Sequence, residues 1–214
     1  MRKFYLYKMT VDDGGAPCVR RGLLSLAICK PMIRSAAAEG SVLLGFAANA
    51  LCEDNRLIYA ARITLKLDGR DYYSGNTYVE RADCIYVFKK GAFTRRLKSK
   101  FHPDDEDLIH DLGKPPNYNR AWILLSKGFE NFRYFGTGRP EDYKRENPHL
   151  KEEIESLTQG HRVNHSAGLR EELELLEGRL FAARFISADT PVPARVCPKG
   201  CHDPAIEDDF TECS

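Results

Sequence analysis

The sequence lacks the motifs that mark the commonest enzyme and membrane classes. No apolar run approaches the roughly 20 residues that a membrane-spanning helix needs, and the charged N-terminus lacks the apolar stretch of a signal peptide. No Walker A P-loop, no GxGxxG after a strand, no GxSxG and no paired CxxC is present. These absences argue against P-loop, dinucleotide-binding, α/β-hydrolase and zinc-ribbon chemistry. They also predict a cytoplasmic protein without a membrane partner.

The sequence also has little net charge. Its 32 Lys and Arg residues stand against 31 Asp and Glu residues, which gives a formal charge of +1 over 214 residues. Bulk charge therefore does not indicate a nucleic-acid partner. One segment without acidic residues is the exception, and it contains Lys89, Lys90, Arg95, Arg96, Lys98 and Lys100. An acidic run at 104–107 follows it and could screen it.

Seven cysteines, an odd number, predict mostly reduced thiols in a cytoplasmic setting. Cys18 follows the loop DDGGAPC, where a thiol is accessible and neighbouring groups can activate it. We therefore consider Cys18 a candidate nucleophile with His161 or His110 as its base, although no Cys–His spacing matches a family signature. An inert thiol is the alternative.

The C-terminal tail raises the question of a metal. Cys197, Cys201 and adjacent His202 supply only part of a zinc ligand set, with Cys213 as a further candidate. We expect no metal and no cofactor, and the sequence leaves open whether this tail binds an ion.

The order of predicted elements favours an α+β fold. Alternating and continuous apolar runs predict strands over 3–10, 23–29, 42–47, 57–67, 84–88 and 121–126. Pro31 suits the start of a helix over 32–39 that Gly40 ends, and leucine spacing predicts helices within 149–157 and 167–180. The loop 101–120 is polar and proline-rich. Strands and helices do not alternate regularly, which argues against a doubly wound sheet. We expect one domain over 1–187 and an irregular tail over 188–214.

An aromatic segment follows the strand at 121–126. We interpret 121–138 as a hairpin whose second strand contains Phe132, Tyr134 and Phe135. Alternation places Phe132 and Tyr134 on one face and Arg133 and Phe135 on the other. One face could then be core while Tyr134 or Phe135 stacks on a flat ligand. The alternative is that all the rings belong to the core.

The segment Cys29-Lys30-Pro31 lies where a strand ends and a helix begins. Backbone N–H groups at such a junction favour an anion, and Lys30 and Arg34 are four residues apart on one helix face. Lys8 at the end of the first strand could join them if the two strands are neighbours. We expect these three residues to hold a phosphate, with a solvated basic helix end as the alternative.

Further polar residues could read the edge of a base. Asp83 could point into a pocket with Tyr86 and would then need a cationic partner such as Lys8, Lys30 or Arg162. In GHRVNH, His161 and Arg162 could contact a phosphate or a base edge and complete the pocket wall.

Several segments, taken in order, resemble the nucleotide modification associated domain family, type two. They are YKMT, APC, GLLSLAICKPMIRSAAAEG, VLLGFAA, LIYAARITLKL, ADCIYVF, WILLSKGFENFRYFG and GHRVNH. The resemblance implies a component of phage and bacterial systems that hypermodify DNA bases or act on modified DNA. The pattern of helix, glycine and apolar strand before LIYAARIT is also similar to PUA-like folds, including EVE domains, which take a flipped base into an aromatic pocket.

These observations predict a PUA-like, mixed and strongly curved sheet or partial barrel, with flanking helices and a C-terminal helical section. The preferred function is binding of a modified nucleobase or nucleotide, with modified DNA or a nucleotide as partner. One alternative is an enzyme that modifies a DNA base or nucleotide with Cys18, Lys30 or His161. Another is a non-catalytic partner subunit that docks onto a DNA-modification enzyme through helices at 149–176. The base-binding hypothesis requires the candidate side chains to converge on one hollow.

Overall fold

The computed structural model describes residues 2–138 and 143–182. The predicted tail at 188–214, with Cys197, Cys201 and His202, lies outside these residues. The described strands are β1 (Phe4–Met9), β2 (Cys18–Arg20), β3 (Leu23–Leu26), β4 (Val42–Ala47), β5 (Leu57–Arg62), β6 (Leu65–Asp68), β7 (Tyr86–Lys89), β8 (Ala92–Arg95), β9 (Trp122–Lys127), β10 (Phe132–Tyr134) and β11 (His161–Arg162). The described helices are α1 (Pro31–Ala36), α2 (Gly69–Ser74), α3 (Asp105–Leu112), α4 (Pro148–Ser156) and α5 (Ala167–Ala182).

The strands are divided among three sheets. The largest has the order β10-β5-β4-β1-β11, the second has the order β2-β3-β9-β6, and β7 pairs with β8. The pair β1–β4 is parallel and the other pairs are antiparallel. Within the described residues none of the sheets closes into a barrel, and the mixture of sheets and helices confirms the α+β class. The likeness to PUA-like folds stays a prediction.

The large sheet is buried on both faces, and the alternation of β1 shows why. Phe4 and Leu6 pack towards α4 and α5, whereas Tyr5, Tyr7 and Met9 pack towards the four-stranded sheet. Successive side chains of a strand point to opposite faces, which gives this alternation. Two apolar faces on one strand need two covering layers, and the helices and the second sheet provide them.

Helices α4 and α5 cover the outer face of the large sheet. Their apolar side chains lie in a shared core with β1, β4 and β5: Leu150, Ile154, Leu157, Leu169, Leu173, Leu176 and Leu180. These seven apolar side chains are therefore buried, and docking of the two helices onto a partner enzyme stays a prediction. The periodic pattern that suggested a docking face reports burial within the chain itself.

The outer face of the four-stranded sheet is covered by α2, α3 and the β7–β8 hairpin. Tyr73 is central here: its ring meets those of Tyr72, Tyr86 and Phe93 at 83–88° with centroids 5.0–6.0 Å apart. Such edge-to-face geometry is the favourable one for aromatic pairs. This packing fixes α3 and the hairpin against the sheet, next to the cavity described below.

Three predicted elements differ from the structure. The expected single strand over 57–67 is broken into β5 and β6, which lie in different sheets. The expected loop 101–120 contains α3, whose start is stabilised by a capping box between Asp104 and Asp107. The expected hairpin at 121–138 is wrong, because β9 pairs with β3 and β6 whereas β10 pairs with β5. Apolar periodicity predicts where strands lie but not which strands pair.

Among the described helices, none has the length and apolar character to cross a membrane.

Candidate functional site

A cavity of about 600 Å³ opens where the end of β1, the turn between β3 and α1, and the segment before α3 meet. A cationic side chain, a thiol and several rings line it, among them Cys29, Lys30, Phe101, His102, His110 and His161. These residues come from four separate parts of the chain. The site is therefore a product of the tertiary fold and not of one local motif.

The turn between β3 and α1 presents Cys29 to this cavity. Cys29 and Lys30 both have left-handed backbone conformations, with φ of 56° and 43°, and Pro31 begins the helix at once. Such conformations cost a non-glycine residue on the order of 1–3 kcal/mol each and persist only where the surrounding structure holds them. A sharp strand–turn–helix connection is also how several enzyme folds expose a nucleophile.

Cys29, His102 and Asp111 form a hydrogen-bonded chain. The Sγ of Cys29 lies 3.2 Å from Nε2 of His102, and Nδ1 of His102 lies 2.7 Å from Oδ2 of Asp111. Cys29 and His102 are partly exposed and line the cavity, whereas Asp111 is fully buried. A nucleophile, a base and a group that orients the base, at these distances, define the geometry of a catalytic triad.

Asp111 is held in place by four further contacts. Its Oδ1 accepts the backbone N–H of Cys29 at 2.8 Å and lies 3.5 Å from Nη2 of Arg34. Its Oδ2 accepts the hydroxyl of Tyr86 at 2.9 Å, and its backbone carbonyl accepts Nη2 of Arg34 at 2.7 Å. A buried carboxylate with its lone pairs occupied cannot turn away from His102. Asp111 therefore fixes both the imidazole and the backbone of the nucleophile.

The environment of His102 keeps its imidazole protonated. The hydrogen bond to Asp111 raises the pKa of His102 to about 10, with a further contribution from the Cys29 sulfur, and burial opposes the change. At neutral pH His102 is thus an imidazolium that donates from Nδ1 to Asp111 and from Nε2 to the sulfur. The imidazolium therefore places an acidic proton next to the sulfur, where it could be passed to a leaving group.

Cys29 also differs from the other described cysteines in its exposure. Cys18, Cys52 and Cys84 are buried, whereas Cys29 is partly exposed. Burial raises the pKa of Cys18 and of Cys84, with further contributions from nearby charges. Within the part of the chain that the structure describes, Cys29 is therefore the thiol placed for chemistry.

The rest of the cavity combines positive charge with flat surfaces. The Nζ of Lys30 lies 5.1 Å from the ring centre of Tyr7 and donates to the Lys8 carbonyl at 3.2 Å, and burial lowers the pKa of Lys30. Phe101 lies so close to Gly15 that an added Cβ there would be 3.0 Å from the ring. The cavity thus offers a cation for an anionic group and a ring near its wall.

His161 contributes a different kind of polar group. It lies in β11 opposite Tyr7, with its ring centre 5.9 Å from that of Tyr5. Burial lowers the pKa of His161, and the charges of Arg162 and Lys30 lower it further. A neutral imidazole at neutral pH offers one donor and one acceptor. Two histidines of opposite protonation state therefore line the same cavity.

Of the residues predicted to form one site, Lys30 and His161 line the cavity. Lys8 follows Phe4 and Leu6 on the opposite face of β1, and the charges that affect its pKa are those of Lys144 and Glu155. Only its backbone carbonyl approaches Lys30. Lys8 and Lys30 therefore do not share an anion between their side chains.

Arg34 is fully buried and does not face the cavity as an anion ligand. Its guanidinium donates to the carbonyls of Cys29 at 2.7 Å, Trp122 at 2.7 Å and Arg120 at 3.1 Å, besides its contacts with Asp111. The expected phosphate role is contradicted, because these backbone acceptors already use its donors. Arg34 instead ties the strained turn to β9 and α3.

Cys18 and Asp83 lie together in a separate buried cluster. Cys18 belongs to β2 and is 3% exposed, so the expectation of an accessible loop thiol is wrong. Asp83 accepts hydrogen bonds from Ser25 and from Tyr72, the latter at 2.9 Å, and lies 3.6 Å from Nε of Arg81. Burial raises the pKa of Asp83 and the Arg81 charge opposes this. The cationic partner that the sequence required is therefore Arg81.

The remaining predicted residues also lie away from the cavity wall. Tyr134 donates to Asp12 at 2.8 Å, and Phe135 packs into the core beneath α4 and α5. Arg162 pairs with Glu153 at 3.1 Å, and the hydroxyl of Tyr86 supports Asp111 from behind. The predicted convergence of all these side chains on one hollow is therefore wrong.

The sequence did not predict the triad, although it indicated Lys30 and His110, which are the sequence neighbours of Cys29 and Asp111. The sequence interprets the junction at Cys29 through its lysine and its helix start, and it offers His110, not His102, as a possible base. Neighbouring residues on a helix point in different directions, so Asp111 does not face His110. His102 precedes the helix and has a left-handed backbone, with φ of 51°, and its ring reaches Asp111. The available signal was a Cys at a strand–helix junction together with a His and an Asp in one polar segment.

The same set of residues does not constitute a metal site. Across residues 2–138 and 143–182, no group of three or more His, Cys, Asp or Glu side chains is arranged to hold an ion. The open question about Cys197, Cys201 and His202 concerns residues outside that range.

In a comparison with family models, the model described as nucleotide modification associated domain 2 matches residues 1–191. Neither a curated protein nor a solved structure matches the chain. The matched range includes the cavity and every residue of the triad.

Proposed function

The chain belongs to the nucleotide modification associated domain 2 family, and we propose that it is a thiol-dependent enzyme that acts on a nucleotide bound in the cavity. The family membership agrees with the resemblance seen in the sequence. The observation that carries the proposal is the chain of contacts from Cys29 through His102 to Asp111. Cys29 replaces Cys18 as the proposed nucleophile.

The proposed reaction has two steps. The Cys29 thiolate attacks an electrophilic carbon of the nucleotide, a C–S bond forms, and the leaving group departs with its electron pair and a proton from the His102 imidazolium. Water or an acceptor group then attacks the same carbon while neutral His102 takes its proton. The C–S bond breaks, and the thiolate and the imidazolium are restored. Asp111 holds the imidazole in the required orientation throughout.

The cavity supplies the groups that a nucleotide would need. Its volume of about 600 Å³ lies within the roughly 300–1,000 Å³ of small-molecule sites. Lys30 would attract a phosphate or another anionic group, and Phe101 and His161 would border the base or sugar. The neutral imidazole of His161 can both donate to and accept from a base edge. Binding would thus hold the reactive carbon near the sulfur.

Recognition of a modified base without chemistry is the second candidate. It uses the same cavity, and the protonation state of His161 favours it because a neutral imidazole can read a base edge. It differs from the first candidate in requiring no reaction at Cys29.

Covalent capture tests the proposal. The protein is incubated with nucleotides and with oligonucleotides that carry plain or hypermodified bases, and products and intact protein mass are followed. We expect an adduct that maps to Cys29, conversion that is lost in Cys29→Ser, and slower conversion in His102→Gln. Cys18→Ser is the matched control and should keep full activity, because it makes the same change at a buried thiol.

The outcomes separate the two candidates. Conversion that survives in Cys29→Ser but not in Cys18→Ser would overturn the assignment of the nucleophile. Binding of a modified nucleotide that is unchanged in Cys29→Ser, without conversion or adduct across the whole panel, would favour recognition alone. Thermal unfolding of each variant shows that it is folded.

A further inference from the structure

A dense basic segment, residues 89–100, leads directly to the cavity; we call it the basic arm. It contains six cations and no acidic residue. Five of the cations are exposed: Lys89, Lys90, Arg95, Lys98 and Lys100. Such a density is unusual in a chain with a formal net charge of +1.

The exposed cations of the basic arm are not neutralised within the described chain. None of the five takes part in an ion pair there, whereas many arginines elsewhere, such as Arg2, Arg56 and Arg62, do. The acidic run that follows begins at the N-terminal end of α3, and Asp104 and Asp107 are engaged in its capping box. Acidic groups there favour the helix dipole. The run therefore has a structural role of its own and does not pair with the arm.

The arm is presented by a well-supported hairpin. Lys90 and Gly91 at its tip have φ of 52° and 80°, the conformation of a tight hairpin turn that matches strand twist. Phe93 anchors it, with its ring centre 4.7 Å from that of Phe88 and 4.8 Å from that of Tyr118. Arg96 donates to the Tyr86 carbonyl at 3.1 Å. The exposed charges thus project from a fixed scaffold.

The arm is continuous with the catalytic site. Its last residue, Lys100, lines the cavity, and Phe101 and His102 follow it there. Leu97, within the arm, is completely exposed. A segment of exposed cations with an exposed apolar side chain, ending at a pocket, has the groups with which proteins bind the phosphates and bases of an unpaired strand.

We infer that the basic arm binds a single-stranded polynucleotide and directs one of its nucleotides into the cavity. This inference rests on the proposed function and narrows it, because the substrate becomes a nucleotide within a strand. A base stacked in a duplex cannot reach a recessed sulfur, so the nucleotide must be unpaired or flipped out. Charge complementarity identifies the phosphate backbone as the occupant of the arm.

The test uses a fluorescently labelled oligonucleotide of mixed sequence, single-stranded or annealed into a duplex. The full chain is compared with a variant carrying Lys89→Gln, Lys90→Gln, Arg95→Gln and Lys98→Gln. The matched control carries Lys114→Gln, Lys127→Gln, Arg145→Gln and Lys151→Gln, which remove the same charge from exposed positions elsewhere. Lys100 is left unchanged because it lines the cavity.

We expect tighter binding of the single strand than of the duplex, and roughly tenfold or greater loss of affinity in the arm variant only. The salt dependence of its binding should also fall by about 0.7 in log–log slope for each phosphate that the arm no longer neutralises. Equal loss in both variants would overturn the inference, as would unchanged binding in the arm variant. Reaction of Cys29 with a saturating concentration of the single strand should be unaffected by the arm changes, because these alter binding only. Absence of any Cys29 adduct or conversion in the wild-type chain, across nucleotides and oligonucleotides alike, would instead contradict the proposed function.

Discussion

The charge of His102 should stabilise the folded chain, and this can be measured through the substitution His102→Gln. The pKa of His102 is about 10 in the fold against an ordinary value of 6.5. Because the folded value is the higher one, protonation favours folding. The stabilisation is complete below about pH 6.5 and is lost as the pH rises towards about 10. Glutamine can still form hydrogen bonds, but its side chain does not gain or lose a proton in this pH range.

The magnitude follows from the two pKa values. One unit of difference corresponds to about 1.4 kcal/mol, so the interval from 6.5 to about 10 corresponds to roughly 5 kcal/mol of unfolding free energy. The side chain is 20% exposed, and solvent screening reduces this figure somewhat. Between about pH 6 and about pH 10 we therefore expect the wild-type advantage over the variant to shrink by roughly 3–4 kcal/mol.

Urea unfolding at a series of pH values provides the assay. Other groups titrate in both proteins and cancel in the difference between them. Repeating the comparison in a Cys29→Ser background should preserve most of the effect, because Asp111 is the larger cause of the raised pKa. A difference in unfolding free energy that does not change with pH would refute the ion pair between His102 and Asp111.

Five further substitutions, two of them controls, test the scaffold by urea unfolding. Arg34→Met should cost roughly 3–5 kcal/mol because four backbone carbonyls around this buried side chain lose their donor, and a neutral result would show that the guanidinium is dispensable. Gly45→Ala should cost roughly 1–3 kcal/mol because a Cβ there would overlap a buried tyrosine ring, whereas Gly138→Ala meets open space and should be near neutral. Leu173→Ala should cost roughly 2–5 kcal/mol and Leu175→Ala less than about 0.5 kcal/mol, since the first is fully buried and the second is 62% exposed. Equal losses at the two leucines would contradict the packing of α5 on the large sheet.

Local patterns predicted the elements that depend on one stretch of chain. The two faces of β1, the proline start of α1 and the leucine faces of α4 and α5 follow from periodicity and from backbone preferences. These signals are strong because burial on one side imposes a repeat of two residues on a strand and of 3.6 on a helix. They carry no information about which strands become neighbours.

The position of the candidate site depends on which strands pair with one another, so most of its residues could not be predicted from the sequence. Lys30, in the turn before α1, and His161, in the edge strand β11, line the cavity, and their role in binding stays a prediction. Arg34 was misjudged because helical spacing shows that two residues share a face but not whether that face is buried. Cys18 was preferred over Cys29 because a glycine-rich loop suggests exposure, whereas the strand that follows the loop is covered by Arg81.

The central claim is that His102 activates Cys29, and the rate of iodoacetamide alkylation as a function of pH tests it most directly. Peptide mapping resolves each cysteine. We expect that in the native chain Cys29 reacts much faster than Cys18, because Cys29 is partly exposed and contacts His102 whereas Cys18 is buried. His102→Gln should slow Cys29 by roughly tenfold or more at neutral pH and leave Cys18 unchanged. A Cys29 rate that matches the buried thiol, or that His102→Gln does not alter, would contradict the claim.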